Sequence, residues 1–278
     1  MKIKLAKSAG FCFGVKRALS IALKTARSKS PVHMLGDIVH NEDVVKEIKA
    51  LGIKKITKLR NGKGKTLLVR AHGSCNAILK SAMERGYTIV DATCPMVKEI
   101  HRIVKKAENL GRRVIIIGDT LHDEVHGITG QLKQKAIMID DPRRIPFASI
   151  SKIKRATVVV QSTQNLNKAL EIVEKLKSRI IDLEFCNTIC KPTKIKQEEI
   201  KQMPLVNDCV VVIGSKKSAN TKRLYEISKA LNPRTYWVQS QQNLRKDWFN
   251  GMRSVGVTAG ASTPDATTNK IIGAIERL

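Results

Sequence analysis

The chain has 278 residues, with 51 lysines and arginines against 24 acidic residues and a formal net charge of +27. A hydrophobic content of 42 % excludes a disordered chain, and the length allows one large core or two to three small α/β units. No apolar run approaches a membrane span, and residues 1–26 read as strand, turn and helix rather than as a signal peptide, so a cytoplasmic protein without a membrane contact is expected.

In chain order, Ile3 and Leu5 mark a short strand that ends at Ala9-Gly10-Phe11-Cys12-Phe13-Gly14. Val15, Ala18, Leu19, Ala22, Leu23 and Ala26 then fall on one helical face. Cys12 thus sits on a glycine-flanked turn at a helix N-terminus, where the helix dipole favours thiolate. Residues 32–40 read as a strand leading to Val39-His40-Asn41, and Asn41 or Asp43 caps a helix carrying Val44, Val45, Ile48 and Leu51. Gly62-Lys63-Gly64 is a turn. Thr66 to Arg70 is a buried-type strand ending in Ala71-His72-Gly73-Ser74, with a helix from Ala77 to Arg85 behind it. Tyr87, Ile89 and Val90 form a strand that runs into Cys94, and Pro95 suits the first position of the helix carrying Val97, Ile100, Val104 and Ala107.

Val114 to Gly118 is a strand ending in a turn, Asp119 to Gly127, that holds His122 and Glu124. Ala136 to Ile139 is a further strand, and residues 141–152 read as a loop. Thr157 to Val160 leads to Gln161-Ser162-Thr163 and a helix with Leu166, Ala169, Leu170, Val173 and Leu176. Ile180-Ile181 is read as the strand before Phe185-Cys186-Asn187-Thr188-Ile189-Cys190. An exposed polar helix is expected from there to about Gln202. Cys209 to Ile213 is a strand ending in Gly214-Ser215-Lys216-Lys217-Ser218-Ala219-Asn220, ahead of a helix with Leu224, Ile227 and Leu231. Val255 to Thr258 leads to Ala259-Gly260-Ala261-Ser262, and a last helix holds Ile271, Ile272, Ile275 and Leu278. Continuous apolar strands alternating with helices predict parallel sheets covered on both faces. In such sheets ligands bind beyond the carboxyl ends of the strands.

Six cysteines without secretory features argue against a disulfide framework and for metal or redox use. Cys12, Cys94 and Cys190 each stand on a turn between a strand and a helix, about a hundred residues apart, as if three similar units met at one centre. There is no CxxC pair of the kind that structural zinc favours. Isolated thiolates from separate units suit an iron–sulfur cluster, although three unrelated core cysteines remain the alternative; Cys75 and Cys209 are read as core residues. The histidine, serine and asparagine turns can gather a phosphate at helix N-termini, or simply cap those helices. Glu124 is a candidate proton donor, or an exposed loop acid. The basic excess would suit a polyanion, but it is dispersed, and aromatics at 4 % are few for stacking on bases. Nucleic acid is therefore not an expected partner.

Taken in order, the segments around Cys12, Val39-His40-Asn41, Ala71-His72-Gly73, Asp91-Ala92-Thr93-Cys94-Pro95, His122-Asp123-Glu124-Val125, Asn187-Thr188-Ile189-Cys190, Gly214-Ser215-Lys216 with Ser218 and Asn220, and Thr258-Ala259-Gly260-Ala261-Ser262 with Pro264-Asp265 resemble the 4-hydroxy-3-methylbut-2-enyl diphosphate reductases. These are the LytB-type last enzymes of the methylerythritol phosphate route to isoprenoids. The resemblance implies an α/β fold of three small units with mainly parallel sheets in pseudo-threefold arrangement around a central [4Fe–4S] cluster. The units would span residues 14–94, 95–188 and 189–278, the last joined by the N-terminal segment 1–13.

The resemblance also implies Cys12, Cys94 and Cys190 as cluster ligands, leaving one iron open to substrate. It implies His40, His72, Ser218, Ala219, Asn220 and Ser262 as diphosphate binders, and Glu124 as proton donor with Ser162 and His122 beside it. Thr193, close to the third ligand, is a further candidate. The partners would be an allylic diphosphate and an external one-electron donor such as ferredoxin or flavodoxin, acting on a monomer. Ser162 stands where the family often has threonine, and Ala219 where it often has serine, which leaves a backbone N–H in place of one hydroxyl. Cys186 competes with Cys190 as the third ligand, and the sequence context of Cys190 favours it. The charge of +27 is not accounted for by the resemblance.

Overall fold

The computed structural model describes residues 1–28 and 30–278. The chain begins with β1 (Lys2–Leu5), α1 (Phe13–Ala26), β2 (Val32–Leu35), α2 (Glu42–Ala50) and β3 (Lys54–Ile56). It continues through β4 (Thr66–Val69), α3 (Asn76–Glu84), β5 (Thr88–Asp91) and α4 (Pro95–Asn109). Next come β6 (Arg113–Ile117), α5 (Asp123–Thr129), β7 (Ile137–Ile139), α6 (Phe147–Ile150), β8 (Arg155–Val160), α7 (Leu166–Lys177) and β9 (Asp182–Cys186). The last part holds α8 (Lys191–Gln202), β10 (Cys209–Ile213), α9 (Ala219–Leu231), β11 (Thr235–Val238), β12 (Ser254–Ala259) and α10 (Asp265–Glu276).

Two compact units result, one of Met1–Lys16, Val39–Lys46 and Lys191–Leu278, the other of Arg17–Ile38 and Glu47–Cys190. The first unit contains the sheet β1-β12-β10-β11. The second contains the sheets β3-β2-β4-β5 and β7-β6-β8-β9. Every pairing is parallel. The three sheets share one strand order. Counted by local position, each runs second, first, third, fourth, and in the first unit the N-terminal strand β1 takes the fourth place beside β12. The order reverses between the first and third strands, which is where open α/β sheets bind ligands.

Parallel strands need helical crossovers on their faces, so the central strands are buried on both sides. In the first unit Val211, Ile213, Val255 and Val257 pack on Ile271 and Ile275 of α10. Val210 and Val212 face Ile200 of α8 and Leu224 of α9. In the second unit Ile115, Ile117, Val158 and Val160 meet Ala169, Ile172, Val173 and Leu176 of α7. Val114, Ile116 and Val159 meet Ile100 and Val104 of α4 with Val125 and Ile128 of α5.

The central strands and the long helices lie where the sequence pattern predicts them. The differences fall at sheet edges and in the loops. Residues 32–40 form a strand only over Val32–Leu35; Ile38 and Val39 are buried in the turn beyond it. Ile180-Ile181 is not a strand: Ile180 is buried, while Ile181 is 94 % exposed. The strand is β9, which pairs only with β8 and alternates in burial, so it lacks the continuous apolar run of a central strand. Cys186 is its last residue. The turn at His122 opens α5, and the loop over 141–152 contains the single turn of α6. The polar helix α8 is not exposed, since Thr193, Lys196, Gln197 and Ile200 are buried. The edge strands β3 and β11 are short; β3 carries no apolar run, and that of β11 is only Tyr236-Trp237-Val238. No helix is long and apolar enough to cross a membrane. Ile117→Ala removes a fully buried side chain from the α7 face and should lower stability by about 3 kcal/mol, measured as a lower urea midpoint at unchanged slope.

Candidate functional site

The same backbone hydrogen bond occurs three times. Cys12 N–H donates to Ala261 O at 3.2 Å, Cys94 N–H to Ala71 O at 3.0 Å, and Cys190 N–H to Ser162 O at 3.0 Å. Each donor follows the fourth-position strand of its sheet. Each acceptor stands two residues past the end of the third-position strand, β12, β4 or β8. Cys186 is excluded from this pattern because it is paired with Val159 inside the β8–β9 ladder. Cys12, Cys94 and Cys190 are partly exposed, and none of the six cysteines forms a disulfide among the described residues. Cys209 is buried at the head of β10, and burial pushes its thiol up to about 11. Three reduced, half-buried thiols on equivalent turns are a donor set that fits an iron–sulfur cluster.

Each cysteine loop is fixed by side chains that satisfy its backbone. In the second unit Asp91 Oδ1 accepts from Thr93 N–H at 2.9 Å, Asp91 pairs with Lys98 at 2.6 Å, and Arg17 donates to Thr93 O at 3.0 Å. Cys94 is the N-cap residue of α4, with Pro95 at its first position. The Cys190 loop is tied to the end of β8 through Thr188 Oγ1, which accepts from Val160 N–H at 2.7 Å. In the first unit Gly10 adopts φ +85°, and a Cβ there would lie 2.5 Å from Asp265 Oδ1, so only glycine suits the turn that leads to Cys12.

Glu124 is 2 % exposed. Its Oε1 accepts from Ser162 N–H at 2.6 Å and its Oε2 from Ser162 Oγ–H at 2.8 Å. Burial pushes its carboxyl above the ordinary value of 4.5, while the two Ser162 hydrogen bonds pull in the opposite direction. Gln161 Oε1 accepts from Asp119 N–H at 2.8 Å and so joins the loops that carry Glu124 and Ser162. His122 caps α5, its Nδ1 accepting from Glu124 N–H at 3.1 Å. That acceptor role leaves the ring hydrogen on Nε2. The His72 and His122 rings meet edge to face, with centroids 5.4 Å apart. Arg70, just before Ala71-His72, pairs with Asp123 at 2.6 Å, which locks the start of α5 to the end of β4. Sequence reasoning did not single out Arg70, Gln161 or Asp123; their partners are distant in sequence and become visible only in the fold.

In the first unit Ser218 caps α9, its Oγ accepting from Thr221 N–H at 3.3 Å. Ala219 and Asn220 form the first turn of that helix. Asn220 is 4 % exposed, and neither polar atom of its side-chain amide has a hydrogen-bond partner. Such orphaned groups cost about 1–3 kcal/mol each, and at a helix N-terminus the Nδ2 donor is set for an anion. Ser262 Oγ donates to His40 O at 3.1 Å, which holds the His40 turn on the loop after β12. Thr193 is buried in the first turn of α8.

A family model described as LytB protein matches residues 3–276. The 4-hydroxy-3-methylbut-2-enyl diphosphate reductase of Geobacter sulfurreducens is 38 % identical over 276 residues, covering 99 % of this chain and 97 % of its own. A solved (E)-4-hydroxy-3-methyl-but-2-enyl diphosphate reductase, described as the terminal enzyme of the non-mevalonate pathway, is 36 % identical. It superposes with a TM-score of 0.72 over 100 % of this chain and 99 % of its own. The E-1-hydroxy-2-methyl-but-2-enyl-4-diphosphate reductase of Plasmodium falciparum is 26 % identical with a TM-score of 0.90, covering 98 % of this chain and 87 % of its own. With the LytB model matched over residues 3–276 and the relatives covering nearly the whole chain, this chain belongs to the LytB protein family.

Proposed function

We propose that this chain is a 4-hydroxy-3-methylbut-2-enyl diphosphate reductase that converts its substrate to isopentenyl and dimethylallyl diphosphates. The observation that carries this reading is the thrice-repeated hydrogen bond from Cys12, Cys94 and Cys190, supported by family membership over residues 3–276. These three thiolates would hold a [4Fe–4S] cluster. When bound, the cluster supplies electrons one at a time and an open iron for the substrate's hydroxyl. The overall change is balanced by two electrons and two protons: the carbon–oxygen bond breaks, a carbon–hydrogen bond forms and one water leaves.

The diphosphate is held by the imidazoles of His40 and His72, the Ser218 and Ser262 hydroxyls, the Asn220 amide and the Ala219 backbone N–H. Fixing the diphosphate orients the hydroxyl end of the short substrate. The proton donor is Glu124. Its Oε1 is engaged by a backbone N–H, so in the acid form the proton sits on Oε2, where the 2.8 Å contact with Ser162 Oγ reverses direction and passes the proton by way of that hydroxyl. The raised carboxyl keeps that proton available at higher pH than an exposed glutamate would. His122, with its hydrogen on Nε2, is a neutral donor beside the leaving oxygen. An external one-electron donor such as ferredoxin or flavodoxin, a monomeric state and a cytoplasmic location complete the reading. So does a division into α/β units of residues 14–94, 95–188 and 189–278 with 1–13, which the shared strand order supports.

A hydratase using the same thiolates is the rival, and an electron-donor assay separates the two, since a hydratase turns over without reductant. Anaerobically purified protein should be brown and contain iron and sulfide; Cys12→Ser, Cys94→Ser and Cys190→Ser should each lose the colour, and Cys209→Ser should keep it. Glu124→Gln should retain iron and substrate binding and lose turnover by at least a hundredfold. A carboxyl raised on folding contributes full stability below about pH 4.5, and that contribution fades as pH rises through the raised value. Glu124→Gln should therefore melt at the same or a higher temperature than the parent at neutral pH. Ser162→Ala removes a hydrogen bond that favours the carboxylate, so the Glu124 titration, followed by infrared carboxyl absorption, should move to higher pH.

A further inference from the structure

Lys196 lies on α8, in a stretch whose sequence reads as a solvated lysine-rich helix, yet its side chain is 3 % exposed. Its Nζ donates to the carbonyls of Ser8, of Gly10 at 3.0 Å and of Ala259 at 3.2 Å. All three ammonium hydrogens are thereby matched to backbone oxygens. One turn later Glu199 takes the opposite groups of the same loop: Oε1 accepts from Lys7 N–H at 2.6 Å, and Oε2 accepts from Ser8 N–H at 2.9 Å and Ser8 Oγ–H at 2.5 Å. The loop so gripped is the one that presents Cys12. It is a stretch of irregular backbone whose polar groups no strand ladder pairs.

The three hydrogen-bond partners of the Lys196 ammonium are neutral carbonyls, none of them a carboxylate. A buried ammonium held by neutral carbonyls is costly unless a negative group lies close by. Burial is the largest influence on its charge and pulls the ammonium down to about 8; the foremost opposing influence is Cys12, ahead of Glu199 and Asp265. With its Nζ on Gly10 O, two residues before Cys12, the cation lies at the base of the turn that presents the Cys12 sulfur.

We propose that Lys196 is a positioning residue for the Cys12 ligand, which with Glu199 preforms the Cys12 loop in the metal-free chain and leaves a buried positive charge that favours the reduced form of a cluster bound through Cys12. This rests on the assignment of Cys12 as a ligand. In the step it biases, one electron passes from the external reductant to the cluster, and no bond is made or broken. The added negative charge is attracted by the fixed ammonium, so the reduced form gains relative to the oxidised one.

The test compares Lys196→Met, Lys196→Gln, Lys196→Arg and, as a control for net charge, Lys201→Met on the same helix. Hydrogen exchange of the metal-free chains reads the loop. Exchange over residues 8–12 should speed up at least tenfold in Lys196→Met and stay near the parent in Lys196→Arg and Lys201→Met, with the amides of β10 and β12 unchanged in all. Anaerobic titration of the reconstituted proteins reads the charge. The reduction equilibrium should move about tenfold toward the oxidised form, ~59 mV for one electron, in Lys196→Met and Lys196→Gln, and hold in Lys196→Arg and Lys201→Met. Lys196→Gln keeps a hydrogen-bond donor without the charge, so it separates the two effects if Lys196→Met does not fold. Parent-like exchange and potential in the uncharged variants overturn the proposal, as does an equal shift in Lys201→Met. A parent chain that takes up no iron overturns the functional reading and the charge effect together, while the exchange result still decides the clamp.

Discussion

One backbone hydrogen bond, from a cysteine N–H to the carbonyl two residues past a buried strand, organises the chemistry of this chain. It forms because each sheet is parallel and runs in the order second, first, third, fourth. Parallel pairing sends every strand out of the sheet at the same end, and the change of direction between the first and third strands opens a crevice there. The loop leaving the fourth strand then lies beside the loop leaving the third. The cysteine N–H finds a carbonyl across that gap. The cysteines are positioned by topology before any side chain acts.

Irregular loops at such an end carry backbone groups that no ladder satisfies. The chain meets this with different side chains for the same task. Asp91 and Arg17 hold the Cys94 loop, Thr188 holds the Cys190 loop, and Lys196 with Glu199 holds the Cys12 loop. The position is conserved in geometry across the three sheets while the chemistry of the clamp differs. Only the Cys12 clamp buries a full cation among neutral acceptors.

Charge at the acid is set by a balance of opposed effects. Burial favours the protonated Glu124 carboxyl, and the two hydrogen bonds from Ser162 favour the carboxylate. The first outweighs the second, so the carboxyl lies above its ordinary value while Ser162 orients both of its oxygens. His122 shares the design: capping α5 through Nδ1 fixes which nitrogen carries hydrogen. In both residues a structural hydrogen bond fixes the orientation of the ionisable group.

The sequence by itself determined the fold class and the long elements. Runs such as Val114-Ile115-Ile116-Ile117 and Val210-Val211-Val212-Ile213 are explicable only as strands covered on both faces, and the helical faces after Cys94 and Ser162 follow a 3.6-residue period. The ordered cysteine, histidine and serine turns were legible too, because each follows directly on such a strand. The edge strands β3, β9 and β11 were not, since an edge strand needs no continuous apolar run. Nor was the burial of α8: Lys196 and Glu199 look like solvated charges until the loop from Lys7 to Gly10, nearly two hundred residues earlier, is folded against them. Tertiary structure decided that Cys186 is held in the β8–β9 ladder while Cys190, favoured already by its sequence context, occupies the equivalent turn, and that Glu124 is buried with both oxygens on Ser162. Local pattern reports which face of an element is apolar. Which polar groups meet is fixed by the crossovers that bring distant loops to one end of a sheet.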